Sequence, residues 1–133
     1  MKIVINRKYG GFGLSAQAIM MLADLKGLQV TPTKIERHSI EYWANTAWDG
    51  KYKQPLTNKE FLKLSEADRQ DYLEHRNQNI FDYRKLPRHD KDLVQVVETL
   101  GEAANGEHAS LKIYECDDDF YTINEYDGME ELI

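Results

Sequence analysis

Residues 1–27, MKIVINRKYGGFGLSAQAIMMLADLKG, hold the pattern from which the fold is read. Lys2–Asn6 (KIVIN) is short and β-branched, the composition of a buried strand. Three glycines follow, Gly10, Gly11 and Gly13, and Ser15 then stands where a hydroxyl caps a helix. That helix runs to about Leu25, with Lys26 in its last turn and Gly27 as its stop. Its positions are mostly apolar, so it is expected to be buried on more than one side. LQVTPT (28–33) then runs extended, with Pro32 ending the regularity.

The far end of the chain is patterned as clearly. DKDLVQVVETLGEAANG (90–106) sets Leu93, Val96, Val97, Leu100 and Ala104 at helical spacing, with Asp90 as cap and an end near Gly106. ASLKIYEC (109–116) and FYTINEYDG (120–128) alternate like strands and are expected to form a hairpin across the acidic turn Asp117–Asp119. The middle, about 33–83, differs in kind. AWDGKYKQP (47–55) reads as a turn-rich loop, while TNKEFLKL (57–64) and SEADRQDYLEHRNQNIF (65–81) read as short helices capped by Thr57 or Asn58 and by Ser65. The order β-α-(α)-α-β-β predicts an α+β fold. A small mixed or antiparallel sheet, the N-terminal strand plus the C-terminal hairpin, would carry helices on one face. With 133 residues, one domain is expected, with 33–83 as a variable aromatic and polar insertion.

Composition excludes several classes. No apolar run approaches membrane-spanning length, and the N-terminus lacks the layout of a secretory signal. The single cysteine, Cys116, cannot form an internal disulfide, which suits a reducing cytoplasm, the host's if the chain is phage-encoded. Charge is unevenly spread. Residues 1–64 carry ten Lys and Arg against five Asp and Glu, whereas residues 90–133 carry two against thirteen. Either the two halves face each other, or a basic concavity serves an anionic ligand on an otherwise acidic protein. No helix shows a basic face, so direct DNA binding is not expected.

Strand, glycines and helix N-terminus together can hold an anion on free backbone amides. On this reading the ligand-binding residues are Lys8, Tyr9, Gly10, Gly11, Phe12, Gly13 and Ser15, joined by Arg84, Arg88 and His89 of DYRKLPRHDKD (82–92). Two rival readings stand beside it. The glycines can simply make a tight turn, and Arg88 can simply pair with the acidic third of the chain. The loop lacks Gly-Lys-Ser/Thr, and its spacing misses the dinucleotide fingerprint. His38, His75, His89 and His108 never meet carboxylates at metal-ligand spacing, so neither metal nor cofactor is expected. Trp43, Trp48 and Tyr52 suit either a core or base stacking. Glu130 and Glu131 are expected in a mobile C-terminus. No nucleophile–base–orienter set is visible, and no catalytic residue is assigned.

With both ends quoted, MKIVIN–YGGFGLS and RHDKDLVQVVETLGEAANGEHASLKIYE with YTINEYDGMEEL resemble a family of small proteins found in phage and prophage genomes. The likeness covers about half of the chain. Its matching positions are Tyr9, Gly10, Gly11, Gly13, Ser15, Arg88, Asp90, Gly101, Lys112, Glu125, Tyr126, Asp127 and Gly128. It carries no catalytic residue onto this sequence. It implies a host-directed accessory role such as counter-defence. The first functional expectation is therefore sequestration, without catalysis, of a small phosphorylated or nucleotide-like host signal by a homo-oligomer. The second is an acidic inhibitor of a host protein. The third is a small enzyme in which His89 and Asp90 meet Tyr9 or Ser15.

Overall fold

A computed structural model describes residues 1–36, 39–117 and 120–133, so Asp118 and Asp119 of the expected acidic turn, and His38, lie outside the described residues. The elements are β1 (Lys2–Asn6), α1 (Ala16–Leu25), β2 (Val30–Glu36), β3 (Ser39–Ala44), α2 (Asn58–Leu62), α3 (Glu66–Asn79), α4 (Lys91–Leu100), β4 (Leu111–Glu115), β5 (Ile123–Tyr126) and β6 (Met129–Leu132). Short 3-10 turns cover Tyr83–Lys85 and Gly101–Ala104. The fold is α+β, with small antiparallel sheets. No helix among the described residues is long and apolar enough to cross a membrane. Two compact units divide the chain: Met1–Gly27 with Tyr83–Ile133, and Leu28–Asp82.

In the first unit β1 pairs antiparallel with β4, Val4 opposite Ile113. Ile3, Val4 and Ile5 are all fully buried, as a β-branched run sealed on both faces should be. α4 packs on β1 and β4, and α1 packs on α4. Leu22 of α1, with Leu93 and Val96 of α4, is fully buried, each such side chain contributing about 1.5–3 kcal/mol. The caps follow the sequence closely. Ser15 accepts the Ala18 N–H, and Asp90 accepts the Asp92 and Leu93 N–H groups.

Two expectations for this unit are corrected. α4 stops at Leu100 rather than near Gly106, because Gly101 takes φ +57° and caps the helix by donating to the Val97 carbonyl. The final hairpin is β5–β6, not residues 109–116 with 120–128. β4 is taken up by β1, and the Asp127-Gly128 turn, φ +49° and +88°, folds β6 back on β5. An Asp-Gly turn with both residues left-handed matches the twist of the strands it joins. Glu130 is thus in a strand and only 4% exposed, not part of a mobile tail.

The second unit is a β2–β3 hairpin with α2 and α3. Pro32 does not end β2. It lies within the strand opposite Tyr42. Asn45 donates its N–H to the Gln29 carbonyl, so exchanging pairs fall at Gln29 and Thr31. Pro32 alternates with them, and its missing N–H faces away from the partner strand. Thr57 and Ser65 cap α2 and α3, the former with a full capping box. The core is aromatic: Trp43 and Tyr72 are buried, with Trp48, Tyr52 and Phe61 packed against them. Trp43 and Trp48 stand 4.5 Å apart, ring centre to ring centre.

Two measurements test this packing. A Cβ on Gly128 would fall 2.2 Å from the Gly11 nitrogen, at a backbone φ of +88°. Gly128→Ala is therefore expected to cost about 2–4 kcal/mol in denaturant unfolding, and an unchanged midpoint would mean the turn is not seated on the loop. Lys26 bonds Asp90 at 2.9 Å and Asp92 at 3.0 Å. The Asp90 hydrogen bond, against the opposing effect of burial, lifts the Lys26 ammonium above its ordinary 10.5. Burial pushes Asp90 upward, but the bonds from Lys26 and the Leu93 N–H outweigh it and hold the carboxyl below 3.8. Both groups stabilise the fold at neutral pH. The Asp90 contribution is lost as pH falls below 3.8, and the Lys26 contribution as pH rises above 10.5. The stability difference between wild type and Lys26→Met should shrink at both extremes and be flat between them.

Candidate functional site

The glycine loop is held by a single buried amide side chain. Asn6, fully buried, donates Nδ2–H to the carbonyls of Lys8 at 2.8 Å and Gly128 at 2.7 Å, while its Oδ1 accepts the Ser110 N–H at 2.9 Å. Every polar atom of that side chain is used, which is the condition for burying an amide without loss. The loop therefore leaves β1 in one direction only.

Three of the amides that an anion could use are engaged within the unit. Gly10 N–H donates to the Asp127 carbonyl at 3.0 Å, Leu14 N–H to the Tyr83 hydroxyl at 3.2 Å and Ser15 N–H to the Ala104 carbonyl at 2.9 Å. The Gly13 carbonyl accepts the Gly106 N–H at 2.9 Å. Gly11 lies under the Asp127-Gly128 turn, so close that Gly128 has no room for a side chain. The glycines serve here to let three backbone segments touch.

Arg88 is likewise engaged. Its Nη1 and Nη2 donate to the two oxygens of Glu130 at 2.5 and 2.6 Å, and Glu130 Oε1 also accepts the Asn6 N–H at 2.8 Å. The guanidinium carbon lies 3.7 Å from the centre of the Phe12 ring, a stacked cation–π contact. Phe12 in turn packs on Tyr83, and the Arg84 guanidinium lies 5.3 Å from that ring. His89 Nδ1 is 2.8 Å from the Tyr121 hydroxyl. Asp90 serves as cap and ion-pair partner, and Ser15 Oγ donates to the Ala103 carbonyl at 2.7 Å. Among the described residues no group of three or more His, Cys, Asp or Glu is arranged to hold a metal.

What the loop leaves open is its rim. Tyr9 is 54% exposed and Tyr126 77% exposed, and their rings meet edge to face at 6.5 Å. They border a cleft of about 190 Å³ lined also by Arg7, Asn124, Met129 and Glu131. Arg7 is fixed by one bond, Nη1 to the Glu130 carbonyl at 2.7 Å. Of the predicted residues, Tyr9 belongs to this rim, and Lys8, exposed, precedes it in the chain. Gly10, Gly11, Phe12, Gly13, Ser15 and Arg88 form its support, and Arg84 and His89 make the separate contacts given above. Tyr126, Asn124 and Met129 went unassigned. The signal for them was the Asp127-Gly128 dipeptide, which as a hairpin turn sets Tyr126 opposite Met129 and Asn124 opposite Glu131.

The Arg88–Glu130 pair is testable by itself. Arg88→Ala leaves Glu130 charged and buried, and should cost about 3–5 kcal/mol in unfolding experiments. The double variant Arg88→Met, Glu130→Gln should recover much of that loss, because an uncharged acceptor still serves the Asn6 N–H. A double variant no better than Arg88→Ala would count against the ion pair as the source. Comparison with family models, with curated proteins and with solved structures finds no match to this chain.

Proposed function

We infer that the chain is a phage accessory protein that binds a small phosphorylated or nucleotide-like ligand without turning it over. The base would stack on the exposed rings of Tyr9 and Tyr126, and the phosphate would meet Arg7 and Lys8. The observation that carries this reading is the pair of solvent-exposed tyrosines beside an arginine at the mouth of a cleft. At about 190 Å³ the cleft is smaller than the roughly 300–1,000 Å³ of complete ligand pockets, so it suits one heterocycle rather than a whole dinucleotide. Sequestration of a host signal needs only tight binding at one-to-one ratio, which fits the absence of any catalytic set among the residues that line the cleft. A homo-oligomer would let a second copy cover the remainder of the ligand.

A second reading rests on the acidic surface of the same hairpin. Glu125, Asp127 and Glu131 are all exposed around Tyr126, a tyrosine with carboxylates that suits a basic protein partner.

Calorimetry with a panel of cyclic and ADP-ribose-type nucleotides separates the two. Stacking on an aromatic side chain contributes about 1–3 kcal/mol per base, so Tyr126→Ala should weaken a phosphate-dependent heat by about five- to a hundredfold. Silence across the panel, with salt-sensitive retention of a basic host protein that Glu125→Lys abolishes, would replace the first reading with the second. Turnover of any panel member would overturn both.

A further inference from the structure

A cleft of about 280 Å³ opens in the second unit, bounded by the β2–β3 hairpin and by helices α2 and α3. Its sides are apolar, with Ile35 from β2, Leu56 from the segment before α2 and Phe61 from α2. The ring of Tyr72 closes the inner side, fixed where its hydroxyl accepts the Leu56 N–H at 3.0 Å. Arg76, Glu41 and Glu36 bring charge to the lining. Arg76 Nε donates to Glu41 Oε2 at 2.6 Å, and Nη2 of the same guanidinium contacts the same oxygen. Both contacts fall on one carboxylate oxygen. Nη1 of Arg76 and Oε1 of Glu41 therefore retain hydrogen-bonding capacity that no other described residue uses. The Glu41 side chain is 14% exposed and that of Arg76 39%, so the pair stands at the border of cleft and water. Glu36, exposed, brings a second carboxylate to the rim.

We propose that this cleft binds a free α-amino acid with an apolar side chain. Its carboxylate would sit on Arg76, its ammonium near Glu41 and Glu36, and its side chain against Leu56 and Phe61. Charge selects this class. A plain anion on Nη1 of Arg76 would meet the carboxylates of Glu41 and Glu36, a plain cation would use Oε1 of Glu41 but leave Nη1 of Arg76 without an acceptor, and a wholly apolar ligand would strip water from the ion pair without replacing it. A zwitterion answers both signs at once. A cleft of about 280 Å³ also leaves room for a free amino acid.

The test is an amide-resolved NMR titration of the full chain with L-leucine and L-phenylalanine, beside 4-methylpentanoate and isopentylamine, each of which lacks one of the two charges. Saturable shifts of the Leu56, Asn58 and Phe61 amides are expected with the amino acids, weakened about tenfold or more by loss of either charge. Arg76→Met keeps the side-chain stem and should give a loss of similar size. Glu36→Gln, on the exposed rim where folding is not at risk, should weaken binding several-fold. No saturable shift at tens of millimolar would overturn the proposal, as would binding of either single-charge analogue as tightly as the amino acids. Tyr126→Ala, which alters the nucleotide reading, should leave this titration unchanged, and a changed one would count against the assignment to this cleft.

Discussion

The first unit depends on one carboxylate taken out of water. β1 has a partner strand on one edge only, where β4 completes its hydrogen bonds. On the other edge the backbone groups of Val4 and Asn6 would be buried and unpaired, a cost that folded proteins avoid. Here the Arg88 carbonyl accepts the Val4 N–H at 2.9 Å, the Arg88 guanidinium donates to the Val4 carbonyl at 3.3 Å, and Glu130 accepts the Asn6 N–H. An ion pair thus does the work of a third strand. Two-stranded sheets are marginal in water, and this device lets the strand be fully buried between helix and hairpin without a longer ladder. Because the pair is fixed by a backbone on either side, its geometry is over-determined, which is the condition under which a buried ion pair is tolerated.

The same buried chemistry explains why the glycine loop is ambiguous as a sequence. Glycines that free amides for a phosphate and glycines that let two backbones touch have the same spacing and the same φ requirements. The difference lies elsewhere in the chain. Here the extended Asn105-Gly106 segment and the Asp127-Gly128 turn both close on the loop. A loop meeting its own kind of partner has several of its backbone groups paired within the protein itself. Arg88 follows the same logic: a guanidinium fork matches a carboxylate as well as a phosphate, and the acidic C-terminal third supplied one.

Local signals were read well and distant ones poorly. Ser15, Thr57, Ser65 and Asp90 all cap helices as expected, because a cap needs only the next three residues. The apolar spacing continues through Ala104 and predicts a longer α4, although the chain has already turned into a 3-10 segment at Gly101. β3, Ser39–Ala44, lies amid polar residues, and its strand character comes from pairing with β2. The pairing of Lys2 with Glu115 spans nearly the whole chain, and no local pattern encodes it. The true hairpin was legible. Asp-Gly between alternating residues is a strong short-range turn signal, and it outweighs an all-aspartate run. Reading it would have put Glu130 opposite Glu125 and Tyr126 beside the rim.

The distribution of aromatic rings bears on which of them can serve a ligand. A unit as small as Leu28–Asp82 cannot bury much aliphatic surface, and large rings supply the most area per residue. Trp43 and Trp48 are therefore accounted for by the core they form. Two tyrosines of the first unit have no such account. Tyr9 and Tyr126 stay in water, yet their backbones are fixed. The Lys8 carbonyl before Tyr9 is held by Asn6, the Gly10 amide after it is held by Asp127, and Tyr126 immediately precedes that same turn. Exposed rings on a rigid mount lose little entropy when something stacks on them. In the proposed reading, the glycine loop contributes to binding through its own internal closure: the contacts that occupy its amides are those that aim Tyr9.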